Sequence, residues 1–156
     1  DGLLFILTKE NKTELEEAIL TSIFWIGEAQ NDYIYESAFI KYWTALETLI
    51  TLRNEGITKD LAKSIPILLA FGGYKVIEIG EIEEVSKSVV KLYDKRSDII
   101  HRGIYGDVSP VELTEVCKYA VWCVLTCLGL RSSNYETLEQ IKNETDRLYN
   151  LSTRGS

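Results

Sequence analysis

Apolar residues recur every three or four positions along most of this sequence, a spacing typical of helices that bury one face. The sequence has only two prolines, and no segment alternates apolar and polar residues as a half-buried strand does. At 156 residues the chain is long enough to bury a core without disulfides or metals. These features predict an all-α fold, with residues 1–156 forming one bundle of about five or six helices.

Capping and helix-breaking residues divide the predicted bundle. Thr13 followed by Glu16 has the pattern of a capping box, and Ser109-Pro110 is typical of a helix start. Asn54 and Gly103 are expected to end helices, and Pro66 to interrupt or bend one. The predicted helices cover about 13–31, 33–53, 58–71, 81–102, 110–130 and 135–151. The last but one is the best candidate for the central core helix, and residues 72–80 are expected to form a loop.

Composition narrows the class of protein. The net charge of −7 argues against diffuse electrostatic binding of nucleic acid. No uninterrupted apolar run reaches the ~18 residues of a membrane span, so no membrane contact is expected. Cys117, Cys123 and Cys127 share one apolar helix, which indicates buried thiols in a reducing cytoplasm and no metal site or cofactor. Because the chain starts at Asp1 and lacks methionine, we expect it to be a fragment of a longer protein.

The helix predicted over residues 81–102 carries a cation on its apolar side. Arg96 lies about 20° from Val89 on a helical wheel, within the apolar stripe. Two explanations remain open: the arginine pairs with an acid such as Glu47 or extends to solvent, or it faces an anion. Residues 91–102 hold four basic and two acidic residues, whereas the remaining chain has 13 basic and 22 acidic.

The only histidine, His101, is expected in the last turn of the same helix, one turn beyond Ser97. Arg96 and His101 are about 140° apart on an ideal helix. They can meet only if the helix ends or bulges near His101, or if a second copy of the chain completes the geometry. Gly103 makes an early end feasible because glycine readily adopts the left-handed conformation.

The segment "LYDKRSDIIHRG" resembles the Arg-x4-His motif of the HEPN superfamily, more narrowly that of Apea-like HEPN domains. The matching residues are Tyr93, Arg96, Ser97, His101 and Gly103. The upstream segment "YWTALETLI" matches an aromatic-rich "ALE-x-L" helix, so the resemblance covers roughly residues 35–130. The intervening helix often carries an arginine in that group, and here Lys63 or Ser64 takes its place.

The resemblance implies a bundle that forms a homodimer through its motif helix, and often a metal-independent endoribonuclease. Arg96 would then stabilise charge on the phosphoryl oxygens of single-stranded RNA, and His101 would transfer protons to or from the ribose hydroxyl and leaving oxygen. Ser97, Tyr93 and Arg102 are the supporting candidates. Such domains usually act in prokaryotic anti-phage defence or as toxins, with an antitoxin or regulatory domain as a further expected partner.

Two other hypotheses stay open at this point. One is a non-catalytic HEPN module that dimerises or binds RNA or nucleotide. The other is an unrelated helical interaction domain in which Arg96 pairs with an acid and His101 caps a helix. The acidic net charge favours these two over the nuclease.

Overall fold

A computed structural model describes residues 2–52, 55–103 and 105–154, and these residues form helices and no strands. The α-helices are α1 Gly2–Thr8, α2 Glu14–Gln30, α3 Tyr35–Ile50, α4 Ile57–Phe71, α5 Ile82–Arg102, α6 Pro110–Ser132 and α7 Leu138–Arg154. The predicted all-α class is confirmed. Six of these helices correspond to predicted ones, and α1 is additional: its sequence GLLFILT is apolar on every side and therefore has no helical periodicity to detect.

The predicted caps that start and end helices are present. Thr13 and Glu16 form a reciprocal capping box at the start of α2, and Ser109 and Glu112 form another at the start of α6. Gly103 follows α5 with a φ of 62°, the left-handed conformation that glycine adopts without strain. These contacts involve residues within one turn of each other, so the sequence pattern was sufficient to predict them.

Other predicted boundaries differ from the structure. α3 ends at Ile50, earlier than expected, and Asn54 lies outside the described residues. Gly56, at a φ of 72°, precedes α4. The helix α4 runs without interruption through Pro66. Residues 72–78 form the expected loop, and a short 3-10 turn at Ile79–Glu81 leads into α5.

The helix α3 holds the centre of the bundle. It packs against α2 and α6, and it also contacts α4, α5 and α7. Its side chains Phe39, Trp43, Leu46 and Leu49 are completely buried. The helix α6, which was expected to be the central one, packs mainly against α2, α3 and α4 and leaves Val111 at its start exposed. The amphipathic α7 packs on α4.

The apolar α6 contributes part of the core. Cys123 and Cys127 are fully buried, as predicted, whereas Cys117 is half-buried. Burial raises the pKa of the Cys127 thiol to about 12, so this thiol stays protonated. Among the described helices, α6 alone is long and apolar enough to cross a membrane, judged by length and composition. Core helices of soluble proteins meet the same criterion.

A buried carboxylate joins the start of α2 to the end of α6. Glu16 is 1% exposed. Its carboxylate accepts hydrogen bonds from Lys9 at 2.7 Å, from Arg131 at 2.9 Å and from the backbone N–H of Thr13 at 2.9 Å. Burial alone raises the pKa of Glu16, but the bonds from Lys9, Thr13 and Arg131 outweigh it and lower that pKa to about 2.

This network predicts a pH-dependent loss of stability in Glu16→Gln. At pH 7 the free energy of unfolding should fall by about 1–3 kcal/mol, because Lys9 and Arg131 lose their anion. The pKa of Glu16 is lower in the folded state, so its contribution is present above the ordinary glutamate pKa of about 4.3 and disappears as the pH falls toward about 2. The difference between wild type and variant in urea unfolding should therefore shrink over that range. Glu17→Gln, an exposed neighbour on α2, is the matched control.

Candidate functional site

The helix α5 buries one face, mainly against α4. Ile82, Val89, Leu92, Tyr93 and Ile99 are its buried residues. Ile100 lies about 20° from Val89 on a helical wheel, within the apolar stripe, but it is 44% exposed. Ile99 is buried instead, and it lies seven positions after the buried Leu92, on the same side of α5.

Arg96 is paired with an acid inside the chain. Its Nη2 lies 3.0 Å from Oε1 of Glu47 on α3, and the Tyr93 hydroxyl donates a 2.9 Å hydrogen bond to the same oxygen. The guanidinium also lies 5.3 Å from the centre of the Tyr93 ring, and that ring packs edge-on against Trp43. We call Glu47, Tyr93 and Arg96 the Glu47 cluster. The internal ion pair that the sequence left open is thus present.

The contacts within the Glu47 cluster indicate a structural role for Tyr93. Burial and the hydrogen bond to Glu47 raise the pKa of Tyr93 to about 12, so its hydroxyl remains a donor at neutral pH. The side chain of Arg96 is 19% exposed, and its Nε is buried without a hydrogen-bond partner among the described residues. An external anion would therefore have to approach Arg96 through the exposed fifth of the side chain or displace Glu47.

His101 lies in a different environment from Arg96. It is exposed in the last turn of α5, and the helix is regular to its end, with the Gly103 N–H donating to the Ile99 carbonyl at 3.0 Å. A regular helix keeps Arg96 and His101 about 140° apart around the axis and about 7.5 Å apart along it. The helix ends one residue after His101, at Arg102, which is too late to change the angle between the two residues.

The supporting candidates are engaged with other groups. The Ser97 hydroxyl donates to the Tyr93 carbonyl at 3.2 Å, one turn back along its own helix. Arg102 is exposed and forms an ion pair with Asp98 at 3.2 Å. Lys63 contacts Asp146 on α7, and Ser64 contacts Thr145 on the same helix. Lys63 and Ser64 therefore face α7.

The basic segment of α5 is largely neutralised by neighbouring acids. Lys95 contacts Glu112 at 2.8 Å and donates to the Asp107 carbonyl at 2.7 Å. Burial lowers the pKa of Lys95, but Glu112 and Asp107 outweigh it and raise that pKa. Arg96 and Arg102 are paired as well. Among the described residues, no acid forms an ion pair with Lys91, the remaining lysine of this segment.

Sequence reasoning missed a carboxylate that fixes the loop after α5. Glu36, in the first turn of α3, is buried, and its Oε1 accepts the backbone N–H of Gly106 at 2.8 Å and of Val108 at 3.4 Å. Burial alone raises the pKa of Glu36, but the backbone donors outweigh it and lower that pKa. The contact joins residues seventy positions apart, so no local sequence pattern predicts it.

A separate groove of about 740 Å³ lies between the start of α5 and the start of α6. Its lining includes Val85, Ser88, Glu115 and Tyr119 but neither Arg96 nor His101. Among the described residues, no group of three or more His, Cys, Asp or Glu side chains is arranged to hold a metal ion.

No protein-family model matches the chain, and no curated protein or solved structure is significantly similar to it.

The Glu47 cluster predicts energetic coupling between α3 and α5. In a double-mutant cycle of Glu47→Gln and Arg96→Met, we expect a coupling of about 1–2 kcal/mol in the free energy of unfolding, because both side chains are largely buried. Urea unfolding of the four proteins measures it. The exposed Glu83–Lys87 pair on α5 is the control cycle and should show a coupling of no more than about 0.5 kcal/mol. Equal couplings in the two cycles would contradict a structural role for the Glu47 cluster.

Proposed function

We propose that this chain is a HEPN-type domain and a metal-independent endoribonuclease acting on single-stranded RNA. Its site would be shared by two copies of the chain, with Arg96 from one copy and His101 from the other. We assign this activity to prokaryotic anti-phage defence or toxin action, in line with the resemblance.

One contact supports this proposal above the others. The resemblance rests on two distant segments, "YWTALETLI" on α3 and "LYDKRSDIIHRG" on α5. Glu47 from the first segment contacts both Tyr93 and Arg96 from the second. Residues that match one family pattern are therefore in direct contact, which is the arrangement expected of a common functional unit.

The chemistry follows from the properties of the two side chains. The guanidinium of Arg96 keeps its charge and offers several N–H donors to the oxygens of a phosphate in its transition state. The exposed imidazole of His101 can exchange a proton with the 2′-hydroxyl or with the leaving 5′-oxygen. In this reaction the 2′-hydroxyl attacks the adjacent phosphorus and the 5′-oxygen leaves, which is a transesterification. It needs no metal, because the ribose itself supplies the nucleophile.

The regular end of α5 explains why two copies are needed. Within one chain the helix directs Arg96 and His101 to different sides. A two-fold axis beside α5 would bring the arginine of each copy toward the histidine of the other. Glu47 would then hold one edge of Arg96 and leave the exposed part for phosphate.

A second candidate is a non-catalytic HEPN module that dimerises or binds RNA or nucleotide. The Arg96–Glu47 ion pair itself favours it, since a neutralised arginine attracts phosphate weakly. The acidic partners of Lys95 and Arg102, together with the net charge of −7, favour it further.

The two candidates differ in RNA cleavage in the presence of EDTA. We expect wild type to cleave a labelled single-stranded RNA, and Arg96→Ala and His101→Ala each to lose at least about 100-fold in rate. Lys87→Ala is the matched control, because it removes an exposed cation from the same helix about 21 Å from His101. Cleavage equal in all four preparations would indicate a contaminating nuclease and favour the second candidate.

Mixing the two inactive variants tests whether the site is shared. After subunit exchange, about half of the dimers contain one copy of each variant and keep one Arg96 and one His101 on different chains. We therefore expect the mixture to regain about a quarter of wild-type cleavage, measured after confirming exchange by native mass spectrometry. Exchange without any recovered activity would rule out a site built from two chains.

A further inference from the structure

Three exposed tyrosines lie in the segment that leads into α3 and in the loop that follows α5, two segments that the contact between Glu36 and Gly106 brings together. Tyr33 is 97% exposed, Tyr105 is 73% exposed and Tyr35 is 45% exposed. Isolated apolar residues on a surface are ordinary, but three aromatic rings at one end of a bundle present an unusual amount of flat π surface. We call these three residues the tyrosine rim.

A buried carboxylate joins the segments that carry Tyr35 and Tyr105. Tyr35 directly precedes Glu36, and Tyr105 directly precedes Gly106, whose N–H donates to Glu36 at 2.8 Å. The same loop is tied to α5 by the 2.7 Å bond from Lys95 to the Asp107 carbonyl. Tyr105 also lies only two residues beyond Gly103, where α5 ends. The loop that carries Tyr105 is therefore fixed from two sides, four positions after His101 in the sequence.

The acids near the tyrosine rim are engaged within the chain. Asp32 accepts from Lys41 at 2.6 Å and also from Ser37, and these bonds lower its pKa to about 2. Glu36 is buried against backbone N–H groups, and Asp107 lies 3.5 Å from Lys95. Carboxylates that are already paired repel an approaching phosphate less than free ones.

We infer that the tyrosine rim is a stacking surface for unpaired bases of single-stranded RNA that reaches His101. The choice of RNA rests on the proposed function. Stacking on aromatic rings suits this chain because most cations on α5 are paired, so binding must depend more on base contacts than on phosphate contacts. A ring as exposed as Tyr33 touches few neighbours and can place both faces against bases.

Binding to an RNA that stays intact tests this inference. In a His101→Ala background, a fluorescein-labelled 12-nucleotide single-stranded RNA is titrated and followed by anisotropy. We expect Tyr33→Ala and Tyr105→Ala each to weaken binding at least about fivefold, the loss typical of one stacked base. Tyr33→Phe and Tyr105→Phe keep the ring and should bind like the parent. The affinity should change less than about tenfold between 50 and 200 mM NaCl, since few phosphate contacts are expected.

A matched tyrosine elsewhere controls for surface aromatics in general. Tyr74 is also exposed, but it packs on Trp122, which lies about 18 Å along α6 from the residue where the 105–109 loop joins it. Tyr74→Ala should leave RNA binding unchanged. Incorporated 5-iodouridine should crosslink to residues of the tyrosine rim under long-wavelength ultraviolet light, which mass spectrometry can map.

The outcomes separate this inference from the proposed function. Absence of RNA binding by the parent, or equal binding by the alanine variants, overturns the inference, even where wild type cleaves RNA. Tyrosine-dependent binding in a protein that never cleaves supports the inference and contradicts the nuclease. If the alanine variants become monomers in sedimentation while binding weakens, the tyrosine rim covers a second copy of the chain and the inference is overturned.

Discussion

The carboxylate of Glu47 makes it possible for α5 to carry an arginine within its apolar face. An unpaired guanidinium at that position would lose much of its hydration without compensation. The packing of α5 against α3 would then be destabilised. Glu47 offsets this cost with one oxygen that lies 3.0 Å from Nη2 of Arg96 and accepts a hydrogen bond from the Tyr93 hydroxyl. The ring of Tyr93 in turn packs on Trp43, a completely buried residue of the central helix. The candidate site is therefore continuous with the core of the bundle.

This continuity has two consequences for function. Arg96 is also part of the packing between α3 and α5, so substitutions there would affect folding as well as the proposed chemistry. His101 has no such attachment, because it stands exposed in the last turn of α5. The histidine is thus the cleaner probe of activity, whereas Arg96 variants need a measurement of stability beside each rate.

The parts of the structure that the sequence predicted are those set by neighbouring residues. The predicted helix starts at Thr13 with Glu16 and at Ser109-Pro110, and the predicted end at Gly103, each depend on residues within one helical turn. The amphipathic helices were predictable from their own periodicity. Contacts between distant segments were not predictable in the same way: Glu36 with Gly106 and Glu16 with Arg131 leave no local pattern. Glu47 was named only as one example of an acid that Arg96 could meet. The burial of Ile99 rather than Ile100 was not predictable for the same reason, because the direction of the buried face of α5 depends on the helices that pack against it.

The ion pair of Arg96 also bears on how a shared site would distinguish substrate from transition state. A phosphodiester carries one negative charge, as Glu47 does, so it competes poorly for a guanidinium that is already paired. The transition state of transesterification concentrates additional negative charge on the phosphoryl oxygens, and its attraction to Arg96 is correspondingly greater. Interactions that strengthen only in the transition state raise the rate, whereas equal binding of both states does not. In the proposed dimer, Glu47 would thus weaken ground-state binding more than it weakens catalysis, and stacking on the tyrosine rim would supply the affinity that Arg96 does not.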